Sequence, residues 1–165
     1  MDNLTISLGF MEFPPEHTCN GGNISPQITI KGLEASSLAV MVFNPSVRGV
    51  FSYSAWLIWD IPPRDVIPAR IPHGMTIASP ISALQGINDA GIAGYSGPCP
   101  GPGETHRYLF RVYGLDDFLH IPGGSNKAGL HAAMYDHVLQ YGETEALASQ
   151  ELPRPVAAAH VQKPW

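Results

Sequence analysis

Three observations predict a mainly β fold with a late, peripheral helix. Turn formers are dense, with 17 glycines and 16 prolines in 165 residues, and neither residue suits a helix interior. Between them lie short apolar runs rich in β-branched and aromatic side chains, the length of buried strands. Only one stretch, beyond residue 125, carries apolar residues at helical spacing.

In chain order, residues 4–10 read as a first strand. The segment from Phe13 to Pro26 holds Pro-Pro, Asn-Gly-Gly and Ser-Pro and reads as a long loop. Gln27 to Lys31 alternates polar and apolar residues, a half-buried strand closed by Gly32. Ser37 to Phe43 is almost wholly apolar, as a central strand buried on both faces would be, and it enters the turn Asn44-Pro45-Ser46. Ala55 to Ile61 is a second buried strand, stopped by Pro62-Pro63. Residues 64–85 read as mostly irregular, with a short strand near 75–78.

The segment from Gly86 to Gly103 is half Gly and Pro, which excludes a helix and disfavours a central strand. It leads directly into a strand over 106–115. Period-two alternation places His106, Tyr108, Phe110 and Val112 on one face, with Arg107, Leu109, Arg111 and Tyr113 on the other. Leu130, Ala133, Met134, His137, Val138 and Tyr141 then form a helical stripe, with Ser125 or Asn126 as the N-cap and room to extend towards Ala148. Residues 149–165, with Pro153, Pro155, Pro164 and a terminal Trp165, read as an arm following a single domain over 1–148.

Composition narrows the function. With 44% hydrophobic and 14% charged residues the chain is expected to fold around a real core. A formal charge of −5 and the lack of a basic run argue against nucleic-acid partners and against a polybasic membrane footprint. No apolar run approaches the ~18 residues of a membrane span, and the first residues lack a secretory pattern, so the expected location is cytoplasmic. Cytosolic thiols are normally reduced. Cys19 and Cys99 nevertheless both lie in Gly/Pro-rich loops, where a bridge is geometrically feasible; it would close a loop worth roughly 4 kcal/mol.

No metal site or cofactor is expected. His131 and His137 are six apart, off any common helical face, and a set from His17, Cys19, Cys99 and His106 lacks metal-ligand spacing. Gly94-Tyr95-Ser96-Gly97 falls short of a nucleophile elbow, because the serine leads into Gly-Pro-Cys-Pro rather than a helix. Gly101 to His106 lacks the third glycine of a dinucleotide fingerprint and the lysine of a phosphate loop. His106 stands out: an imidazole where a rigid loop meets a strand, near several glycine amides, suits a small anion. The same position also suits a histidine satisfied by a backbone carbonyl.

Four colinear segments resemble the phosphatidylethanolamine-binding proteins, in their bacterial and archaeal branch of Raf-kinase-inhibitor-like proteins. They are His17 to Pro26 (HTCNGGNISP), Ala55 to Pro62 (AWLIWDIP), Gln85 to Pro100 (QGIND, then GYSGPCP) and Gly103 to Tyr108 (GETHRY). The resemblance implies a large central antiparallel sheet packed on a smaller sheet, with one or two peripheral helices. It also implies a non-enzymatic protein with a pocket for phosphate-like or carboxylate-like anions, and members that inhibit kinases or proteases and often form homodimers. Carried over by position, the pocket is lined by Asn44, Ser46, Ala55, Tyr95, Ser96, Pro98, Pro100, His106 and Tyr108.

Three departures follow from that alignment. The family's Asp-Pro-Asp turn is Asn44-Pro45-Ser46 here, and its histidine before the strand tryptophan is Ala55. In the family those carboxylates orient and charge the histidines, so His106 is expected to be held less tightly in a larger, more apolar pocket. The resulting expectation is a small-molecule binding protein with an altered anion site. The alternative is a regulator of a kinase or protease acting by surface contact, with a vestigial pocket. A hydrolase using Ser96 or Cys99 with His106 is the third reading, and a Cys19–Cys99 bridge would remove its thiol.

Overall fold

The computed structural model describes residues 3–45 and 53–151. Two antiparallel sheets form the body. The smaller pairs β1 (Thr5–Ser7), β2 (Ile28–Lys31) and β5 (Val66–Ile67) in the order β1-β2-β5. The larger contains β3 (Ser37–Asn44), β4 (Tyr53–Ile61), β6 (Thr76–Ile77), β7 (Ala83–Gln85), β8 (Thr105–Leu115) and β9 (Val138–Ser149), in the order β6-β7-β4-β3-β8-β9. The helix α1 (Lys127–Met134) lies against the second face of this sheet.

Period-two geometry explains why β3 is apolar from Leu38 to Phe43. Leu38, Val40 and Val42 point into the layer between the sheets, where they join Ile28, Ile30, Trp56, Ile58, Phe110 and Val112. Ala39 and Met41 point the other way, into a second cluster with Leu57, Trp59, Leu115, Leu130 and Met134 beneath the helix. A strand with an apolar layer on each side has no polar positions to spare. The expected alternation along β8 is also present: Tyr108, Phe110 and Val112 are buried, and Arg107 and Arg111 face outward against Glu145 and Glu143.

Several expectations are corrected. The first strand is Thr5–Ser7, shorter than 4–10. The segment 64–85 contains three short strands, two of them unforeseen, because two or three residues carry too little periodicity to read. The helix does not extend towards Ala148. Asn126 caps it by accepting from the Gly129 amide at 2.9 Å, and it ends at Tyr135, followed by Asp136 at φ +68°. His137, Val138 and Tyr141 continue the helical spacing by coincidence. What prevails is the free edge of β8, which β9 pairs along its whole length from Leu115↔Val138 to Thr105↔Ser149.

Alternation is visible on β9 once the pairing is known: Gln140, Gly142, Ala146 and Ala148 are buried between exposed neighbours. Gln150 still bonds across to Gly103 and Glu104, so regular pairing runs past the expected boundary at 148. Pro153, Pro155, Pro164 and Trp165 lie outside the described residues, as does Ser46. Among the described residues no helix is long and apolar enough to cross a membrane.

Candidate functional site

The start of strand β8 positions His106. Its side chain is 25% exposed, at the end of the face that buries Tyr108 and Phe110. Asn44, the last residue of β3, places its amide nitrogen 3.5 Å from His106 Nδ1 and also hydrogen-bonds the Tyr108 hydroxyl. The ring's other nitrogen is Nε2. That nitrogen points to the carboxylate of Glu104, 3.9 Å away, which also accepts from the Gly101 amide at 2.5 Å. The imidazole therefore lies between two side chains, the Asn44 amide and the Glu104 carboxylate.

Asn88 anchors the loop that precedes β8. It is buried, and its Nδ2 donates to the Ala55 carbonyl at 2.8 Å, the Gly94 carbonyl at 3.1 Å and Ser96 Oγ at 2.9 Å. Its Oδ1 accepts from the Ala90 and Ile92 amides. One side chain thus pins the loop to β4, and the Ser96 amide adds a bond to the Ala55 carbonyl at 3.0 Å. Ala55 itself is fully buried in the main core, so its methyl group belongs to that packing.

The loop that carries Tyr95 is joined to the loop after Phe13. Tyr95 is 1% exposed and donates its hydroxyl to the His17 carbonyl at 2.7 Å. The Cys19 amide bonds the Pro98 carbonyl at 3.0 Å, and the Gly97 amide bonds Asn23 Oδ1 at 2.6 Å. A Cβ on Gly97 would lie 2.2 Å from the His17 carbonyl oxygen, so only glycine permits this approach. Cys19 and Cys99 are joined by a disulfide with Cα atoms 5.3 Å apart. The bridge leaves no thiol at Cys99, which removes the cysteine-nucleophile reading. Pro98 and Pro100 are buried beneath these contacts, and Ser96 is half-buried with its hydroxyl already accepting from Asn88.

Burial pushes the phenols up. The Tyr108 hydroxyl rises to about 12, through desolvation and the neighbouring Tyr53, against the opposing bond from Asn44. Tyr95 is raised further, again by burial, with Tyr108 beside it. Both are neutral phenols at physiological pH and serve as hydrogen-bonding groups. Among the described residues there is no group of three metal-binding side chains.

The structure brings together Asn44, His106 and Tyr108 at one point, with Tyr95 beside Tyr108, while Ser96 and Pro98 make their hydrogen bonds to Asn88 and Cys19. Glu104, Asn88 and Asn23 complete the arrangement without having been singled out from the sequence. Glu104 had a readable signal, since it lies two residues before His106 and so on the same side of an extended chain. The roles of Asn88 and Asn23 depend on which loops meet in space.

Beside this region Asp89 accepts from the Ser54 amide at 2.8 Å and from Lys127 Nζ at 2.7 Å. Burial opposes its ionisation, but the Lys127 and Ser54 donors prevail and hold it below its ordinary value of 3.8. A depressed carboxyl stabilises the fold above its unfolded value and loses that contribution as pH falls through the folded one. The urea midpoint is therefore expected to decline as pH drops below about 4, and Asp89→Asn to flatten that decline. An identical acid limb in the variant would assign the decline to other groups.

The wider comparison agrees with the layout of sheets and loops. The phosphatidylethanolamine-binding protein family pattern matches residues 9–149. The chain is similar to a UPF0098 protein of Pyrococcus horikoshii, 41% identical over 138 residues that cover 81% of this chain and 69% of the relative. It is also similar to a UPF0098 protein of Chlamydia muridarum, 36% identical over 141 residues, 84% of this chain and 91% of the relative. A solved phosphatidylethanolamine-binding protein homologue of Chlamydia trachomatis superposes with a TM-score of 0.77 at 26% identity, over 90% of this chain and 99% of the other. Escherichia coli YbcL gives the same TM-score at 24% identity, which supports the fold alone. The chain belongs to the phosphatidylethanolamine-binding protein family.

Proposed function

We propose that this chain is a non-enzymatic binding protein that takes a small anionic or phosphorylated ligand beside His106. The observation that carries the reading is the partly exposed imidazole at the end of β8, where the Asn44 amide and the Tyr108 hydroxyl converge with it as hydrogen-bonding groups. The buried Tyr108 phenol next to it, with Tyr95 behind, lowers the local polarity, and a charge-assisted hydrogen bond there is strong. No acid–base chemistry is assigned: the Cys99 sulfur is bridged and the Ser96 hydroxyl is engaged by Asn88.

Glu104 favours a second reading. A carboxylate 3.9 Å from Nε2 repels an incoming anion and competes with it for the imidazole, as in a protein whose pocket is vestigial and whose partner, a kinase or protease, meets its surface. Titration of the His106 ring signals with phosphoethanolamine separates the two. Saturable shifts are expected, with affinity lowered about tenfold or more in His106→Ala, the value of one hydrogen bond to a charged group. No shift up to millimolar ligand would retire the anion site in favour of the surface reading.

A further inference from the structure

We propose that the Cys19–Cys99 disulfide is a reversible strap that regulates the site around His106; this rests on the ligand reading above. The bridge joins two segments with little regular structure, the loop after Phe13 and the loop before β8. The second loop supplies Tyr95, which lies beside Tyr108 on the strand that carries His106. Apart from the bridge, the hydrogen bonds between the two loops are those from Cys19 N, Gly97 N and the Tyr95 hydroxyl. Such isolated bonds in loops are the first to open when a constraint is lifted.

The bridge is placed for exchange. Cys99 is exposed while Cys19 is half-buried, so an incoming thiolate meets the Cys99 sulfur. With a dithiol as reductant, its thiolate attacks Cys99 Sγ, the Cys19–Cys99 bond breaks, and Cys19 leaves as a thiolate that takes a proton from water. The second thiol of the reductant then attacks the mixed disulfide, loses its proton, and releases Cys99 as a thiolate that is protonated in turn. Two electrons pass from the dithiol, which ends as a disulfide, to the protein, which ends with two thiols. The loop before β8 is then tethered to its neighbour by hydrogen bonds alone, and the placement of Tyr95 beside Tyr108 loosens.

The test compares oxidised, dithiol-reduced and Cys19→Ser/Cys99→Ser protein by amide hydrogen exchange and by phosphoethanolamine titration. Reduction is expected to speed exchange at the Cys19 and Gly97 amides by about tenfold and to weaken phosphoethanolamine binding, while the Val40 and Val112 amides, which open only with the whole fold, remain far slower than the loops. Reoxidation is expected to restore both properties. The double variant is expected to match the reduced protein with or without dithiol.

Unchanged exchange at Cys19 and Gly97 after two thiols have been counted overturns the strap. So does exchange at Cys19 and Gly97 no faster than at Val40 and Val112, which marks opening through global unfolding alone, and so does a bridge that resists dithiol in the native protein. Faster loop exchange with unaltered phosphoethanolamine affinity overturns regulation while leaving the ligand reading intact. If the oxidised protein shows no saturable binding, the ligand reading itself fails and the regulation falls with it.

Discussion

Removing the Cys19–Cys99 bridge, by reduction or by replacing both cysteines with serine, is expected to lower global stability by about 4 to 5 kcal/mol. The two cysteines are 80 residues apart in sequence and 5.3 Å apart at Cα. A cross-link over that span withdraws many open conformations from the unfolded chain, and the benefit grows with the logarithm of loop length. A loss of that size is a large share of the 5–15 kcal/mol typical of a domain, yet it leaves the two sheets and their apolar layers in place. The melting temperature is expected to fall by about 10 °C or more for a chain of this size, read by calorimetry with and without dithiol. A shift of only one or two degrees would mean that the unfolded chain keeps the two loops near each other without the bond.

This effect acts on the unfolded state, which is why so little of it is visible in local contacts. The same separation of causes decides what could be read from sequence. The central strands were legible because each carries its own evidence: Ser37–Phe43 and Ala55–Ile61 are apolar at nearly every position, since both of their faces are buried. The face assignment on β8 followed from alternation, and it placed His106, Tyr108 and Phe110 together. By contrast, β9 carries alanine, glycine and glutamine at its buried positions, so its inward face has no apolar signature. Its strand state is imposed by the edge of β8, a partner that local propensity does not contain.

The site divides in the same way. Asn44, His106 and Tyr108 could be aligned on motifs, and the loss of carboxylates at Asn44 was plain from the residue types. The approach of the Glu104 carboxylate to Nε2 depends on how the 101–104 turn enters the strand. The pairing of Cys19 with Cys99 stayed open because composition alone does not bring two loops together. Asn88 and Asn23 are ordinary loop residues in sequence. They acquire roles only because the Ala55 carbonyl and the Gly97 amide pass within reach.

Trp56 links the core to that site, and its replacement is expected to have the other large effect. It is fully buried on β4, stands edge-on to Tyr95 with ring centroids 5.7 Å apart, and donates Nε1–H to Gln85 Oε1 at 2.8 Å. Gln85 in turn donates to the Pro72 and Gly74 carbonyls, both at 2.9 Å, so the indole N–H completes a buried amide that also ties down the segment before β6. Trp56→Ala is expected to cost about 3 to 5 kcal/mol from the cavity alone, and the orphaned Gln85 oxygen adds about 1 to 3 kcal/mol. Trp56→Phe keeps most of the volume and isolates the second contribution. Trp59, three residues along the same strand and equally buried, is the control: among the described residues its Nε1 has no hydrogen-bond partner. Trp59→Phe removes an unsatisfied donor along with some packing and is therefore expected to cost less than Trp56→Phe, as read from urea midpoints. Equal losses would show that indole volume, rather than the bond to Gln85, is what β4 requires. A larger loss at Trp56, accompanied by weakened phosphoethanolamine binding, would locate the support for the loop carrying Tyr95 and Ser96 in the core beneath it.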